Sequence, residues 1–111
     1  MEEIWKPIEN YTNYSVSNLG RVKNTNTDNF ISVSLKNEVT LRKNGSKCKR
    51  NLPLLVVTYF LDVPVNYSRI IHKDGNIYNN EFTNLGFKDV KRSFESIFIV
   101  LILKFSSTNE L

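Results

Sequence analysis

Ile70-Ile71-His72-Lys73-Asp74-Gly75-Asn76-Ile77-Tyr78-Asn79-Asn80-Glu81-Phe82-Thr83-Asn84-Leu85 is the stretch from which the fold can be read. It holds the only histidine of the chain, set directly after an apolar pair and just before Asp74-Gly75. Asp-Gly accepts the positive φ of a tight turn, so the backbone is expected to reverse here and leave His72 at a strand end. An Asn-rich loop follows, with amide side chains able to brace the imidazole, and Thr83-Asn84-Leu85 re-enters regular structure. Taken on the turn alone, an ordinary surface turn would account for these residues.

Outward from this loop, Arg69-Ile70-Ile71 is expected to form the incoming strand and Gly86-Phe87-Lys88 the outgoing one. Upstream, Asp62 to Ser68 reads as a connector punctuated by Pro64. The apolar centre of the chain is Leu52-Pro53-Leu54-Leu55-Val56-Val57-Thr58-Tyr59-Phe60-Leu61. Pro53 suits a first helical turn, whereas the β-branched pair Val56-Val57 suits a strand, and sequence leaves both open. Either way the segment belongs to the core. Downstream, Asp89 is placed to cap a helix over residues 90–96. The run Ile97 to Leu103 is wholly apolar but far short of the ~20 residues that span a bilayer. A buried helix end, an added strand and a dimerisation surface all fit it.

The first part of the chain is expected to be β-rich. Tyr14-Ser15-Val16-Ser17 alternates apolar and polar side chains as a half-buried strand does, and Asn18-Leu19-Gly20 turns it into Arg21-Val22-Lys23. Phe30 to Leu35 and Val39 to Leu41 read as further strands, broken at Lys36-Asn37-Glu38. Asn44-Gly45 is a hairpin turn signal. Around it, Arg42, Lys43, Lys47, Lys49 and Arg50 place five cations within nine residues. Such a run is ordinarily a solvated face, but it can also contact phosphates and release their counterions.

The 111 residues allow one domain, or two small modules sharing a core. An apolar fraction of 41% argues against global disorder. The net charge of +4 and a pI near 9.3 are mildly favourable to a polyanionic partner. The single Cys48 excludes an internal disulfide and any multi-cysteine zinc site, and points to a reducing, intracellular compartment. Met1-Glu2-Glu3-Ile4-Trp5 lacks the charged-then-apolar pattern of a secretory signal, and no membrane association is expected.

Two resemblances join these parts. Trp5-Lys6-Pro7-Ile8, then Tyr14-Ser15-Val16-Ser17-Asn18-Leu19-Gly20-Arg21-Val22, resembles the NUMOD4 module. His72-Lys73-Asp74-Gly75-Asn76, Asn79-Asn80 and Asn84-Leu85 resemble the core of phage-type, intron-encoded HNH homing endonucleases. The resemblance implies an α+β fold: a small antiparallel N-terminal sheet module at residues 1–50, then a ββα-metal core at 51–96, with residues 97–111 unassigned. It implies double-stranded DNA as partner and Mg²⁺ or another divalent ion as cofactor if the protein is active. His72 would be the general base, and Asn84 the asparagine that braces the loop and orients it. The family's metal-ligand positions fall on Ile71, which has no donor atom, and Ser93, a weak neutral oxygen ligand. Asp74 is a carboxylate that could stand in, though it more readily caps its own turn, as Asp89 caps a helix.

Arg21, Lys23, Arg42, Lys43, Lys47, Lys49, Arg50 and Lys73 are the expected DNA contacts. The C-terminal repeat of many such endonucleases has no counterpart here, so relative to that family the chain is expected to be truncated. Imidazole, with an ordinary pKa of ~6.5, suits deprotonation of water, but the missing ligands favour a decayed relative that keeps DNA affinity. A small structural or RNA-binding protein is the alternative, although it leaves the double motif unexplained.

Overall fold

The computed structural model describes residues 1–89. The helix expected over 90–96, Ser93 and the apolar run 97–103 lie outside those residues. Among the described residues the architecture is α+β: three small antiparallel sheets around one α-helix.

The N-terminal sheet holds β1 (Trp5–Ile8), β2 (Tyr11–Ser17) and β3 (Val22–Asn24) in the order β1-β2-β3. Its β2–β3 turn is where the sequence places it. Ser17 Oγ accepts from the amides of Leu19 and Arg21, each at 3.2 Å, and Gly20 takes φ +84°. Asn18 ties down the incoming chain, accepting from the Ile4 amide at 2.8 Å and donating to the Glu2 carbonyl at 3.1 Å.

The expected strand from Phe30 to Leu35 does not form. Phe30 bridges Lys23 and the Ile31 amide reaches the Val22 carbonyl at 2.9 Å, after which the chain leaves the sheet. Alternation alone cannot make a strand without a partner edge. Instead Ser34 closes a turn, its carbonyl accepting from Asn37 and its hydroxyl from Lys36 and Glu38, leaving Leu35 88% exposed.

β4 (Glu38–Lys43) and β5 (Ser46–Asn51) form the next hairpin, in unbroken register from Glu38↔Asn51 to Lys43↔Ser46. Asn44 and Gly45, at φ +52° and +83°, make the two-residue turn whose twist matches the strands. Asn51 then caps helix α1 (Leu52–Phe60), its side chain accepting from the Leu54 amide at 2.8 Å. The capped start and Pro53 in the first turn, where no N–H is needed, decide for helix over strand.

Leu52, Leu55, Val56 and Val57 of α1 meet Ile8, Tyr14, Val16, Val22, Val39 and Leu41 of the sheets in one apolar cluster. The last hairpin, β6 (Tyr67–His72) and β7 (Leu85–Asp89), adds Leu85 to that cluster. Its register sets Ile71 opposite Gly86 and His72 opposite Leu85, so the base candidate sits where the strand pair opens into its loop.

Candidate functional site

The loop between β6 and β7 is organised by Asp74. Its Oδ1 accepts from the Asn76 amide at 2.8 Å and from Asn84 Nδ2 at 2.9 Å, and its Oδ2 from Asn79 Nδ2 at 2.9 Å. These donors, led by Asn79, hold the carboxyl below its ordinary value of 3.8. Gly75, at φ +80°, donates its amide to the His72 carbonyl and completes the turn that Asp-Gly signals.

Asn84 closes the loop from the other side. Its Nδ2 also reaches the Asn79 carbonyl at 2.9 Å, its Oδ1 accepts from the Asp74 amide at 3.0 Å, and its own carbonyl accepts from Lys73 at 2.8 Å. One amide thus spans both limbs of the loop. The contact that holds the imidazole comes from a different residue: His72 Nε2 lies 2.9 Å from Asn80 Oδ1. Asn80 is buried and donates through Nδ2 to Asn37 Oδ1 at 2.8 Å. Asn37, buried as well, comes from the turn before β4 and also donates to the Ile77 carbonyl. Asn80 lies in the Asn-rich run that the sequence marks, whereas nothing in the sequence connects Asn37 to a histidine 35 positions away.

A second contact seats this loop on the N-terminal sheet. A Cβ at Gly20 would fall 2.7 Å from the carbonyl carbon and oxygen of Asn80, so only glycine admits the close approach. The Phe82 amide also donates to the Asn18 carbonyl at 2.8 Å.

The metal-ligand question turns on the same atoms. Ile71 brings no donor, and both oxygens of Asp74 are already engaged in its own turn. Among the described residues no group of three or more His, Cys, Asp or Glu side chains comes together in a metal-binding arrangement. Beside His72 the described residues thus offer a hydrocarbon at the expected ligand position and a carboxylate that already holds its own turn.

The cations expected to contact DNA separate into four groups. Arg21 forms a two-toothed pair with Glu3 and lies over Phe30 at 4.3 Å, while Lys23 lies over Trp5 at 4.4 Å and pairs with Asp28 at 3.4 Å. The Arg21 hydrogen bonds lower the Glu3 pKa. In the β4–β5 hairpin, Lys43 and Arg50 share the inner face with Val39, Leu41 and Cys48, and both lie over the Tyr11 ring, at 5.7 and 5.2 Å. Hydrogen bonds from Tyr11 and Arg50 hold the Cys48 thiol below its usual range. Arg42, Lys47 and Lys49 occupy the outer face, exposed, with Arg42 directly opposite Lys47 and no acidic partner among the described residues. Lys73 follows His72, and its stem passes Gly86, where a Cβ would lie 3.3 Å from Lys73 Cε.

Among the described residues no helix is long and apolar enough to cross a membrane. Comparison with known proteins matches residues 3–51 to the NUMOD4 motif. The chain is 32% identical over 92 residues to an uncharacterized HNH endonuclease, L245, of Acanthamoeba polyphaga mimivirus, covering 80% of this chain and 28% of that protein. A second mimivirus protein, the uncharacterized HNH endonuclease L247, is 36% identical over 91 residues, covering 75% and 23%. The chain thus spans about a quarter of the length of these relatives. Among solved structures it is similar to the HNH homing endonuclease I-HmuI, described for DNA binding and cleavage. The TM-score is 0.68 at 29% identity over 86% of this chain and 57% of that one. Sequence motif, relatives and fold agree: the chain carries a NUMOD4 motif and is homologous to the HNH endonucleases.

Proposed function

We propose that this chain is a DNA-binding protein of the HNH homing-endonuclease type that retains the base and its loop but has lost the metal-ligand set, and so cleaves weakly or not at all. The observation that carries the reading is the pairing of Ile71, a hydrocarbon at a ligand position, with Asp74, a carboxylate engaged on both oxygens. In such a site a divalent ion stabilises the charge on the scissile phosphate and the leaving oxygen. That contribution is several kcal/mol, and each ~1.4 kcal/mol is tenfold in rate. His72 alone can take a proton from an attacking water while Asn84 keeps the loop closed, but it leaves the phosphate charge unopposed.

Binding to duplex DNA is supported by the likeness to I-HmuI and by the outer face of the β4–β5 hairpin. Like charges directly opposite on a strand pair repel each other, and a phosphate backbone relieves that repulsion. Arg42, Lys47 and Lys49 are therefore the leading phosphate contacts, with Lys73 beside the base. Arg21, Lys23, Lys43 and Arg50 contribute chiefly by bracing the surface through their aromatic and acidic partners.

Duplex affinity measured across a salt series tests the binding, and plasmid nicking with Mg²⁺ or Mn²⁺ tests the chemistry. The expected result is salt-dependent binding with nicking at most weakly above that of His72→Ala. Strong nicking lost in His72→Ala overturns the decay, and absence of duplex affinity at low salt overturns the whole assignment.

A further inference from the structure

We infer that Asn37 and Asn80 are positioning residues that fix which nitrogen of His72 carries the proton, so that the N-terminal module sets the chemical form of the imidazole in the hairpin. The inference deepens the proposed function and rests on His72 being the base, but its test reads no cleavage.

An amide's oxygen and nitrogen are told apart by their partners, and here the partners form a chain with one fixed end. The Ile77 carbonyl can only accept, so the Asn37 atom facing it is Nδ2. Asn37 Oδ1 is then the atom turned to Asn80, which must answer with Nδ2, at 2.8 Å. Asn80 Oδ1 is left facing His72 Nε2 at 2.9 Å, with Asn37 Nδ2 a further 3.4 Å contact. An amide oxygen cannot donate, so Nε2 bears the hydrogen. The neutral ring then keeps its lone pair on Nδ1, the atom free to accept a proton from water.

Backbone contacts hold both asparagines in place. Asn37 sits in a left-handed conformation at φ +63°, its backbone N–H donating to the Ser34 carbonyl and its backbone carbonyl accepting from the Leu52 N–H at the start of α1. Asn80 is pressed against Gly20. Flipping Asn80 would set its NH₂ against the donor side of Asn37 and against Nε2–H, a costly clash of donors for two buried asparagines. The base is therefore governed by a residue of the NUMOD4 segment, through two amides, from a backbone carbonyl.

The test is a long-range ¹H–¹⁵N correlation spectrum of the full chain, taken where the ring is neutral. With one histidine in the sequence the assignment is unambiguous. Wild type is expected to show only the Nε2–H pattern. Asn37→Gly, which keeps the left-handed backbone and removes the amide, is expected to lose that single pattern and show a mixture of tautomers. Adding Asn80→Asp should restore Nε2–H, because a carboxylate has no donor face to present. An Nδ1–H pattern in wild type, or an unmixed pattern in Asn37→Gly, overturns the inference.

If Asn37→Gly does not fold, side-chain amide exchange in wild type decides. Slow exchange of both Asn37 and Asn80 Nδ2 protons is expected, and rapid exchange of either overturns the relay. Absence of nicking leaves these spectra untouched, and a wrong tautomer leaves DNA affinity untouched, so this inference and the functional assignment fail separately.

Discussion

Single residues of the His72 loop carry more than one bond each, and that makes their substitution costly. Asn84→Ala removes two donated bonds and one accepted one, and is expected to destabilise the protein by about 1–3 kcal/mol in chemical unfolding. Asp74 makes the same loop pH-sensitive. Its folded pKa is depressed, so its contribution is full above the unfolded value and is lost as pH falls through the lower folded one. Hydrogen-exchange protection of the Asn76 amide should therefore hold down to the ordinary carboxylate value of 3.8 and fall below it. In Asp74→Asn that acid step should be absent. The sequence makes the turn and its capping by Asp74 readable, because Asp-Gly acts over few residues. It does not reveal that Asn80 rather than Asn84 touches the imidazole, because two asparagines four apart in an irregular loop offer no periodicity to tell them apart.

Secondary-structure elements show the same division between local and distant causes. The Asn44-Gly45 hairpin and the β2–β3 turn follow from residues that tolerate positive φ, and both stand where the sequence puts them. Helix α1 was ambiguous because Val56-Val57 suits either state; its cap settles it, and Asn51→Ala should cost about 1 kcal/mol in thermal unfolding. The residues from Phe30 to Leu35 have strand alternation but, among the described residues, no neighbouring edge beyond the bridge at Phe30, and that cannot be read from alternation. The cationic hairpin also divides in a way only register exposes. Replacing Arg42, Lys47 and Lys49 together with Gln should lower the salt slope of duplex binding by about 2–3, close to one per lost phosphate contact. Replacing Lys43 and Arg50 should instead lower stability, through the lost stacking on Tyr11.

Across the whole molecule, the N-terminal sheet and the His72 hairpin are joined through Gly20 against Asn80, Asn18 to Phe82, and Leu85 in the common core. That joining gives a reason for a NUMOD4 segment to precede this hairpin, beyond any nucleic-acid contact of its own. On the proposed reading, what remains in the hairpin is a base with its bracing intact and a ligand position occupied by a hydrocarbon.

The decisive measurement is supercoiled-plasmid nicking by Ile71→Asp/Ser93→Asn with Mg²⁺ or Mn²⁺, beside wild type and beside the same double variant carrying His72→Ala. A rise of about tenfold or more over wild type, abolished by His72→Ala, is the predicted result. No rise in a variant that folds and still binds duplex DNA would contradict the claim that lost metal ligands are what silence the site.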